Sequence, residues 1–348
     1  MDVVRPARVS DLDGLLHLAT LTGYGLTSLP RDPEFLRKRL VESARSFAHD
    51  ADEPRGEPYL FVLEASDGEA IGTSAIWSKV GGFEPFYAYR LETAVHESKM
   101  LGVRKEVPML HLVREHSGPC DVGGLFLAPA QRRSGRGRML SLSRFLFMAE
   151  HPHPFDPEVI SEIRGVSDEQ GESPFWEAMG RRFFDIDFPK ADYLSLLNKR
   201  FIADLMPTHP IYLPLLPDAA RAVIGEPHPH SRAALELLEG EGFRRSNLVD
   251  IFDAGPVIHA RLDEVRTVRE SVRAEVEEVL AEPPDGEDVL VSRAAAKPDF
   301  RAAVGTVALT RAGGVRIASA LAERLRVGVG DRVRFAPLRA ATHGEAST

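Results

Sequence analysis

The sequence predicts an α+β protein, because strand-like and helix-like segments are interspersed along its 348 residues. Three observations carry this prediction. An apolar strand leads into an Arg/Gly loop and then a helix over residues 121–149, and β-rich runs form a hairpin pattern over residues 59–80. Several short strands then follow a break near residue 283.

The N-terminal half combines capped helices with apolar strands. Val3 to Ala7 has the composition of a strand, and Ser10-Asp11 is typical of an N-cap before an apolar-periodic helix that ends at Ala19. The turn at 66–68 separates two β-rich runs. The remaining predicted elements are central strands at 110–113 and 122–127, a strand at 159–166, and a helix at 174–184 with a glycine stop at Gly180.

The Arg/Gly loop, residues 132–137, has the composition of an anion site. Gly135 and Gly137 allow the backbone to bend tightly, so that successive N–H groups converge on one point. That point precedes an amphipathic helix over residues 139–149, whose N-terminal N–H groups and dipole favour an anion. The surrounding arginines are Arg132, Arg133, Arg136 and Arg138. The spacing differs from that of a P-loop and suits a pyrophosphate.

The spacing Arg-x-x-Gly-x-Gly, from Arg132 to Gly137, resembles the acyl-CoA pyrophosphate loop of the GNAT acyltransferase superfamily. The order of the elements, a strand and capped helix followed later by strand, Arg/Gly loop and helix, is also similar to that superfamily. The resemblance implies a GNAT-like fold, a mixed twisted sheet flanked by helices.

Further blocks resemble the arginine N-succinyltransferase family, clearly over residues 1–260. They are 25–30, 125–127, 143–149, 173–177, 201–203, 209–212, 223–225, 228–229 and 250–253. This resemblance implies transfer of succinyl from succinyl-CoA to the α-amine of L-arginine, in arginine catabolism. Succinyl-CoA would then be a co-substrate, and no cofactor would be bound permanently.

The resemblance also implies roles for individual residues. Leu125 and Leu127 would bind the acyl arm through their backbone, and Arg132, Arg133, Gly135, Arg136 and Gly137 would hold the coenzyme's diphosphate. His228 matches the family's catalytic proton donor, and His230 is the alternative. Many GNAT enzymes use a tyrosine acid in the final helix, where this chain has Trp176, which has no useful acidity.

The binding groups for the two substrates stay open at this level. A guanidinium prefers a bidentate carboxylate, and Asp250, Asp253, Glu64 and Glu92 are all candidates. The segment 26–30 is a candidate for contact with the succinyl carboxylate or the arginine backbone, and equally for a helix-capping turn.

Three units are expected. Residues 1–200 form the acyl-CoA-binding domain, 201–282 a degenerate second half-unit that carries His228, and 283–340 a small β-barrel-like module for packing or oligomerisation. The half-unit is suggested by a weak echo at 237–243 of the helix at 174–184, although coincidence is equally plausible. A charged surface helix is predicted over 262–281.

Composition excludes several classes of protein. The net charge of −9 disfavours nucleic acid as a partner. The single cysteine, Cys120, allows neither an intrachain disulfide nor a multi-cysteine metal site, and no metal is expected. No apolar run is long enough to span a bilayer, so we expect a cytoplasmic protein without a membrane partner.

Other functions remain compatible with the sequence. The chain could prefer ornithine or accept both amines. It could instead be a non-catalytic CoA-binding subunit beside an active paralogue, since Gly123-Gly124 and Trp176 depart from the superfamily pattern. A scaffold without a ligand is a third reading. We expect a homo-oligomer or a hetero-oligomer with a paralogous subunit.

Overall fold

A computed structural model describes residues 1–22, 26 and 28–340. Two residues of the predicted 25–30 block, Gly25 and Thr27, lie outside the described part. No helix within the described ranges is long and apolar enough to cross a membrane.

One twisted sheet runs through the molecule, and its strands are almost all antiparallel. The strands are β1 Val3–Pro6, β2 Pro58–Glu64, β3 Ala70–Trp77, β4 Gly81–Ser98, β5 Val103–Ser117, β6 Cys120–Leu127, β7 Glu158–Glu162, β8 Ile211–Tyr212, β9 Arg244–Val249, β10 Pro256–Arg261, β11 Val272–Leu280, β12 Asp288–Arg293, β13 Ala302–Leu309, β14 Val315–Ala318 and β15 Arg332–Pro337. The main part has the order β1-β2-β3-β6-β7-β10-β9-β4-β5-β8. Only β6–β7 and β11–β14 pair in parallel, so the sheet is mixed, as expected.

Helices cover both faces of this sheet. They are α1 Leu12–Thr20, α2 Pro33–Ala48, α3 Arg136–Glu150, α4 Pro174–Ala178, α5 Gly180–Phe184, α6 Phe188–Leu197, α7 Arg200–Leu205, α8 Asp218–Arg221, α9 Arg232–Gly240, α10 Arg266–Arg269 and α11 Ser319–Leu325. The predicted helix after Ser10-Asp11 is confirmed, and Asp11 occupies its N-cap position, but the Asp11 side chain makes no capping hydrogen bond with α1. Its carboxylate accepts from the Arg8 N–H at 2.7 Å and pairs with Arg5.

The C-terminal strands close into a barrel. β12 pairs with β15, β15 with β11, β11 with β14, β14 with β13, and β13 back with β12. The predicted helix over 262–281 is therefore wrong: α10 occupies four residues of it and β11 forms the barrel wall. Ala274 and Val276 point into the barrel between exposed charged residues, a strand period hidden by the high charge. The barrel thus begins before residue 283.

Helix α3 is buried all round, which its predicted amphipathic pattern did not indicate. Residues 139–148 are all buried. One face of α3 packs on β3 and β6, and the barrel strands β12 and β15 cover the other face. The helix that follows the Arg/Gly loop is therefore held from both sides.

Two other sequence predictions change in the structure. Residues 110–113 lie in β5, part of a long β4–β5 hairpin near one end of the sheet instead of its centre. The helix predicted over 174–184 is divided into α4 and α5, and Gly180 begins α5 instead of stopping a helix. A Cβ on Gly180 would lie 2.1 Å from the Trp176 ring, so glycine is required by this close approach.

The segment 201–282 adds strands to the first sheet. β10 pairs with β7 over five residues, and β9 pairs with β10. Helix α9 ends at Gly240. The strands of this segment therefore extend the common sheet and do not form a separate one. The division of the chain into three units stays a prediction.

Candidate active site

The Arg/Gly loop leaves a run of backbone N–H groups without acceptors. The first backbone hydrogen bond of α3 is donated by Met139 to the Gly135 carbonyl at 3.0 Å. Among the described residues, the N–H groups of 133–138 donate to no protein acceptor. Gly135 has φ +80° and Arg133 has φ +69°, which is the bend that turns successive N–H groups toward one side. An anion would satisfy these donors at the helix N-terminus.

The arginine side chains of the loop have unequal freedom. Arg136 is tied down, since its Nε donates to Asp2 at 2.6 Å and its Nη1 donates to Gln131 at 2.8 Å. Arg132 donates to the Leu127 carbonyl at 3.2 Å and lies over the Phe126 ring. Arg133 is exposed and makes no side-chain bond within the described ranges. Arg138 donates to the Leu338 carbonyl, so it supports the barrel contact.

Strands β6 and β7 separate beside this loop. Their parallel pairing is limited to Cys120 with Val159 and Asp121 with Ile160. Beyond these pairs the Ser161 hydroxyl donates to the Val122 carbonyl at 2.8 Å, and no further register pair follows. The rest of β6, which leads to the loop, therefore has one edge without a neighbouring strand.

A bulge in β6 lies within this open edge. The register with β3 shifts between Thr73 and Ala75, opposite Gly124 and Leu125. Gly124 has φ +60°, a left-handed conformation that favours glycine. The side chain of Leu127 is buried and that of Leu125 is half-buried against the core. The side chains of both leucines pack against the core, so only their backbone groups face the open edge of β6.

His228 lies next to the chain that continues β7. Its N–H donates to the Arg164 carbonyl at 2.8 Å, and Pro227 forms a bridge with Gly165. Burial, with the nearby charges of Arg164 and His230, lowers the pKa of His228 to about 4, so the imidazole is neutral at pH 7. Nδ1 accepts from the His230 N–H at 3.1 Å, which fixes the ring.

A group of neighbouring carboxylates, called the acidic recess below, lies near His228 and the point where β6 and β7 separate. Its carboxylates belong to Asp121, Glu162, Asp192, Asp250 and Asp253. Burial raises the pKa of all five, to about 7 for Asp121 and about 8 for Asp192. Of the five side chains, Glu162 is exposed, Asp192 and Asp250 are half-buried, and Asp121 and Asp253 are buried.

Three of these carboxylates are available to a ligand. Asp250 accepts from the N–H groups of Phe252 and Asp253, and Asp253 accepts from those of Gly165 and Gly255. In the described part of the chain, Glu162 and Asp192 have no hydrogen-bond donor, and Oδ1 of Asp121 is buried without a partner. Carboxylate oxygens without a protein donor favour a cationic ligand.

The structure narrows the predicted guanidinium partners. Glu64 already pairs with Arg5 at 2.6 Å, and Glu92 lies 3.5 Å from Arg90 in the hairpin. Of the four carboxylates proposed from the sequence, only Asp250 and Asp253 belong to the acidic recess. Sequence reasoning missed Asp121, Glu162 and Asp192. Asp121 and Glu162 lie at strand ends, and Asp192 lies on the weakly amphipathic helix α6.

Cys120 and Trp176 are buried residues of the core. Cys120 is fully buried, and burial raises the pKa of its thiol well above the ordinary value, so it is no nucleophile. Trp176 is also buried, and its Nε1 donates to the Ile186 carbonyl at 3.0 Å. No group of three or more metal-binding side chains is found in residues 1–22, 26 and 28–340.

Free N–H groups at the start of α3, an open edge on β6 and a mixed sheet in the order expected for the superfamily define a GNAT-type acyltransferase. The solved structure of arginine/ornithine succinyltransferase subunit AI from Pseudomonas aeruginosa superposes with a TM-score of 0.89 at 38% identity, over 98% of this chain and 99% of that one. The fold is thus shared along essentially the whole chain.

The chain belongs to the arginine N-succinyltransferase family of acyltransferases. The family models for the arginine N-succinyltransferase beta subunit and its C-terminal domain match residues 2–267 and 272–337. Arginine N-succinyltransferase subunit beta of Pseudomonas aeruginosa is 41% identical over 98% of this chain and 100% of its own length. Arginine N-succinyltransferase of Citrobacter koseri is 46% identical over 82% of this chain and 83% of its own.

Proposed function

We propose that this chain transfers the succinyl group of succinyl-CoA to the α-amine of L-arginine, giving CoA and N2-succinyl-L-arginine. The observation that carries the proposal is the run of acceptor-free N–H groups at 133–138 beside the open edge of β6. Membership of the arginine N-succinyltransferase family supports the same reaction.

The Arg/Gly loop would hold the diphosphate of the coenzyme. The N–H groups of Gly135, Arg136 and Gly137 would donate to phosphate oxygens, and Arg132 and Arg133 would add positive charge. The pantetheine arm would then run along the open edge of β6 toward Gly124. Backbone N–H groups near Leu125 and Leu127 would polarise the thioester carbonyl and stabilise the oxyanion that forms on it.

His228 would carry the proton between the two substrates. The α-amine attacks the thioester carbon directly in its free-base form, without an acyl-enzyme. Because Nδ1 of His228 accepts from the His230 N–H, the neutral ring carries its proton on Nε2. When the C–S bond breaks, Nε2 would donate this proton to the CoA thiolate, and the proton released by the attacking amine would replace it.

The acidic recess would bind the cationic amino acid. Among the described residues, no protein group donates a hydrogen bond to the carboxylates of Asp192 and Glu162. One oxygen of Asp121 is buried without a partner there. A guanidinium with five N–H donors satisfies several carboxylate oxygens at once, which an apolar or anionic acceptor cannot do.

The test is turnover by the purified full-length chain, followed by thiol release and mass spectrometry of the product. We expect N2-succinyl-arginine from succinyl-CoA and arginine, with lower turnover when acetyl-CoA replaces succinyl-CoA. Lack of turnover with arginine and with ornithine would remove the assignment.

The same experiment separates the alternative functions. A higher kcat/KM for ornithine than for arginine would indicate an ornithine or dual-specificity enzyme. CoA binding without turnover, restored by a paralogous chain, would indicate a non-catalytic subunit in a hetero-oligomer.

A further inference from the structure

An arginine-lined cavity lies near the place where the barrel joins the N-terminal part of the sheet. It has a volume of about 240 Å³ and lies between the end of β1, helix α2, and the loops that precede β13 and follow α11. Its arginines are Arg5, Arg8, Arg293, Arg301 and Arg326, and its only lining carboxylate among the described residues is Asp299. The cavity is therefore strongly positive in a chain whose net charge is −9.

Most of these arginines have no carboxylate partner. Arg5 is neutralised, because it pairs with Asp11 at 2.7 Å and Glu64 at 2.6 Å. Within the described part of the chain, no carboxylate lies within 4 Å of the guanidinium of Arg8, Arg293, Arg301 or Arg326. Several guanidinium groups thus face one space with few nearby carboxylates, which favours the entry of an anion.

Arg301 shows this most clearly. The residue is only 7% exposed, and its Nε donates to the Arg324 carbonyl, while its two terminal nitrogens have no acceptor in the described ranges. Burial lowers the pKa of Arg301 to about 10, and the charges of Arg326, Arg324 and Arg8 act in the same direction, while Glu64 opposes them in part. A buried guanidinium with free N–H groups is normally paired with an anionic oxygen.

We propose that this cavity binds a small organic or inorganic polyanion that carries at least two carboxylate or phosphate groups. At least two anionic groups are needed because the unpaired arginines come from separate segments, before α1, at the end of β12, before β13 and after α11. Phe47 and Phe300 form an apolar floor that suits a short carbon skeleton. None of the Arg/Gly loop residues 132–137 lines the cavity, so this ligand is distinct from the acyl-CoA.

Calorimetry on the full-length chain, with saturating CoA present to fill the Arg/Gly loop, tests the proposal. Citrate and inorganic pyrophosphate are the two probes, and they separate a carboxylate ligand from a phosphate ligand. We expect at least one probe to bind at a single site with a Kd below about 10 mM. The affinity should fall as the salt concentration rises.

The variant pair is Arg8→Gln with Arg326→Asn, both exposed residues of the cavity wall, and asparagine tolerates the left-handed φ of +57° at Arg326. We expect the double variant to raise the Kd at least about tenfold, because two charge-assisted contacts are lost. Arg316→Gln is the matched control, an exposed arginine on β14 outside the cavity, and should bind as the parent does.

The proposal fails if neither probe binds in the presence of CoA, or if the double variant binds as tightly as the parent. An unchanged melting temperature shows that the double variant is folded. Arg301→Gln is a second variant of the same site. It should raise the Kd for the probe by at least as much as the double variant does.

Discussion

The Arg/Gly loop and the acidic recess adjoin the same pair of strands, but the chain builds them by opposite means. The loop is six consecutive residues, and its donors are mainly backbone N–H groups. The recess takes side chains from β6, β7, α6 and the β9–β10 turn, residues far apart along the chain. A site that uses main-chain donors needs only local conformation, whereas a site that uses clustered carboxylates needs folding to bring them together.

The strongest test of this comparison is His228, which borders the recess. We expect His228→Ala to lower kcat by about 10²–10⁴, since removal of a positioned acid–base group has that effect. The KM for succinyl-CoA should change little, because the Arg/Gly loop is untouched. Steady-state kinetics with His230→Ala as the control measures this, and an equal loss in the control would transfer the role to His230.

The loop is tested by a change of charge at constant shape. Gly135→Asp should raise the KM for succinyl-CoA by about 10–100-fold, because a carboxylate at the α3 N-terminus competes with the diphosphate. Gly135→Asn is the matched control, since asparagine also tolerates the φ of +80° there and adds no charge. If both variants bind CoA alike, the loop does not hold an anion.

The recess is tested by neutral isosteres. Asp192→Asn and Glu162→Gln should each raise the KM for arginine about tenfold and leave the KM for succinyl-CoA unchanged. Glu169→Gln, an exposed acid in the nearby loop, is the control. A change in the KM for succinyl-CoA in place of the KM for arginine would assign the recess to the coenzyme.

Stability should depend on pH because of the same carboxylates. The pKa of Asp121 is raised to about 7 and that of Asp192 to about 8, so the folded chain holds more protons than the unfolded chain between these values and pH 4. The lowered pKa of His228 acts in the opposite sense up to about pH 6.5, so the free energy of unfolding should fall most clearly as pH rises from about 6.5 through 8. Thermal melts should show this slope without arginine, and a smaller slope with arginine bound or in Asp192→Asn. Equal slopes for the free chain, the arginine-bound chain and Asp192→Asn would mean that the recess determines neither the pH dependence of stability nor arginine binding.

The smallest effect is expected at Leu125. Because its proposed contribution is a backbone N–H, Leu125→Ala should change the KM for succinyl-CoA by no more than about threefold. Steady-state kinetics measures this. A much larger change would mean that the side chain, half-buried against the core, contacts the coenzyme directly.

The sequence predicted local features better than distant ones. The strand, Arg/Gly loop and helix over 121–149 were predicted in place, as were the hairpin of β2 and β3 and the strands after residue 283. The helix predicted over 262–281 failed because charged residues occupy the outer face of β11 and conceal its alternation. A strand with one solvated face and a surface helix can carry similar charge.

Burial in α3 and in the recess could not be read from composition. Residues 139–148 appear amphipathic, yet the barrel covers the outer face of this helix. The carboxylate candidates Glu64 and Glu92 were indistinguishable from Asp250 and Asp253 in the sequence, and the pairing of Glu64 with Arg5 separates them in the structure.

By itself, the sequence determined the features that depend on neighbouring residues: the bend at Gly135, the helix start that follows it and the order of the elements around the loop. Only the tertiary structure decided which carboxylates remain unpaired, which histidine is held neutral, and which arginines face a common cavity. The physical reason is that desolvation and pairing depend on atoms brought close by folding, and the order of residues along the chain does not contain those distances.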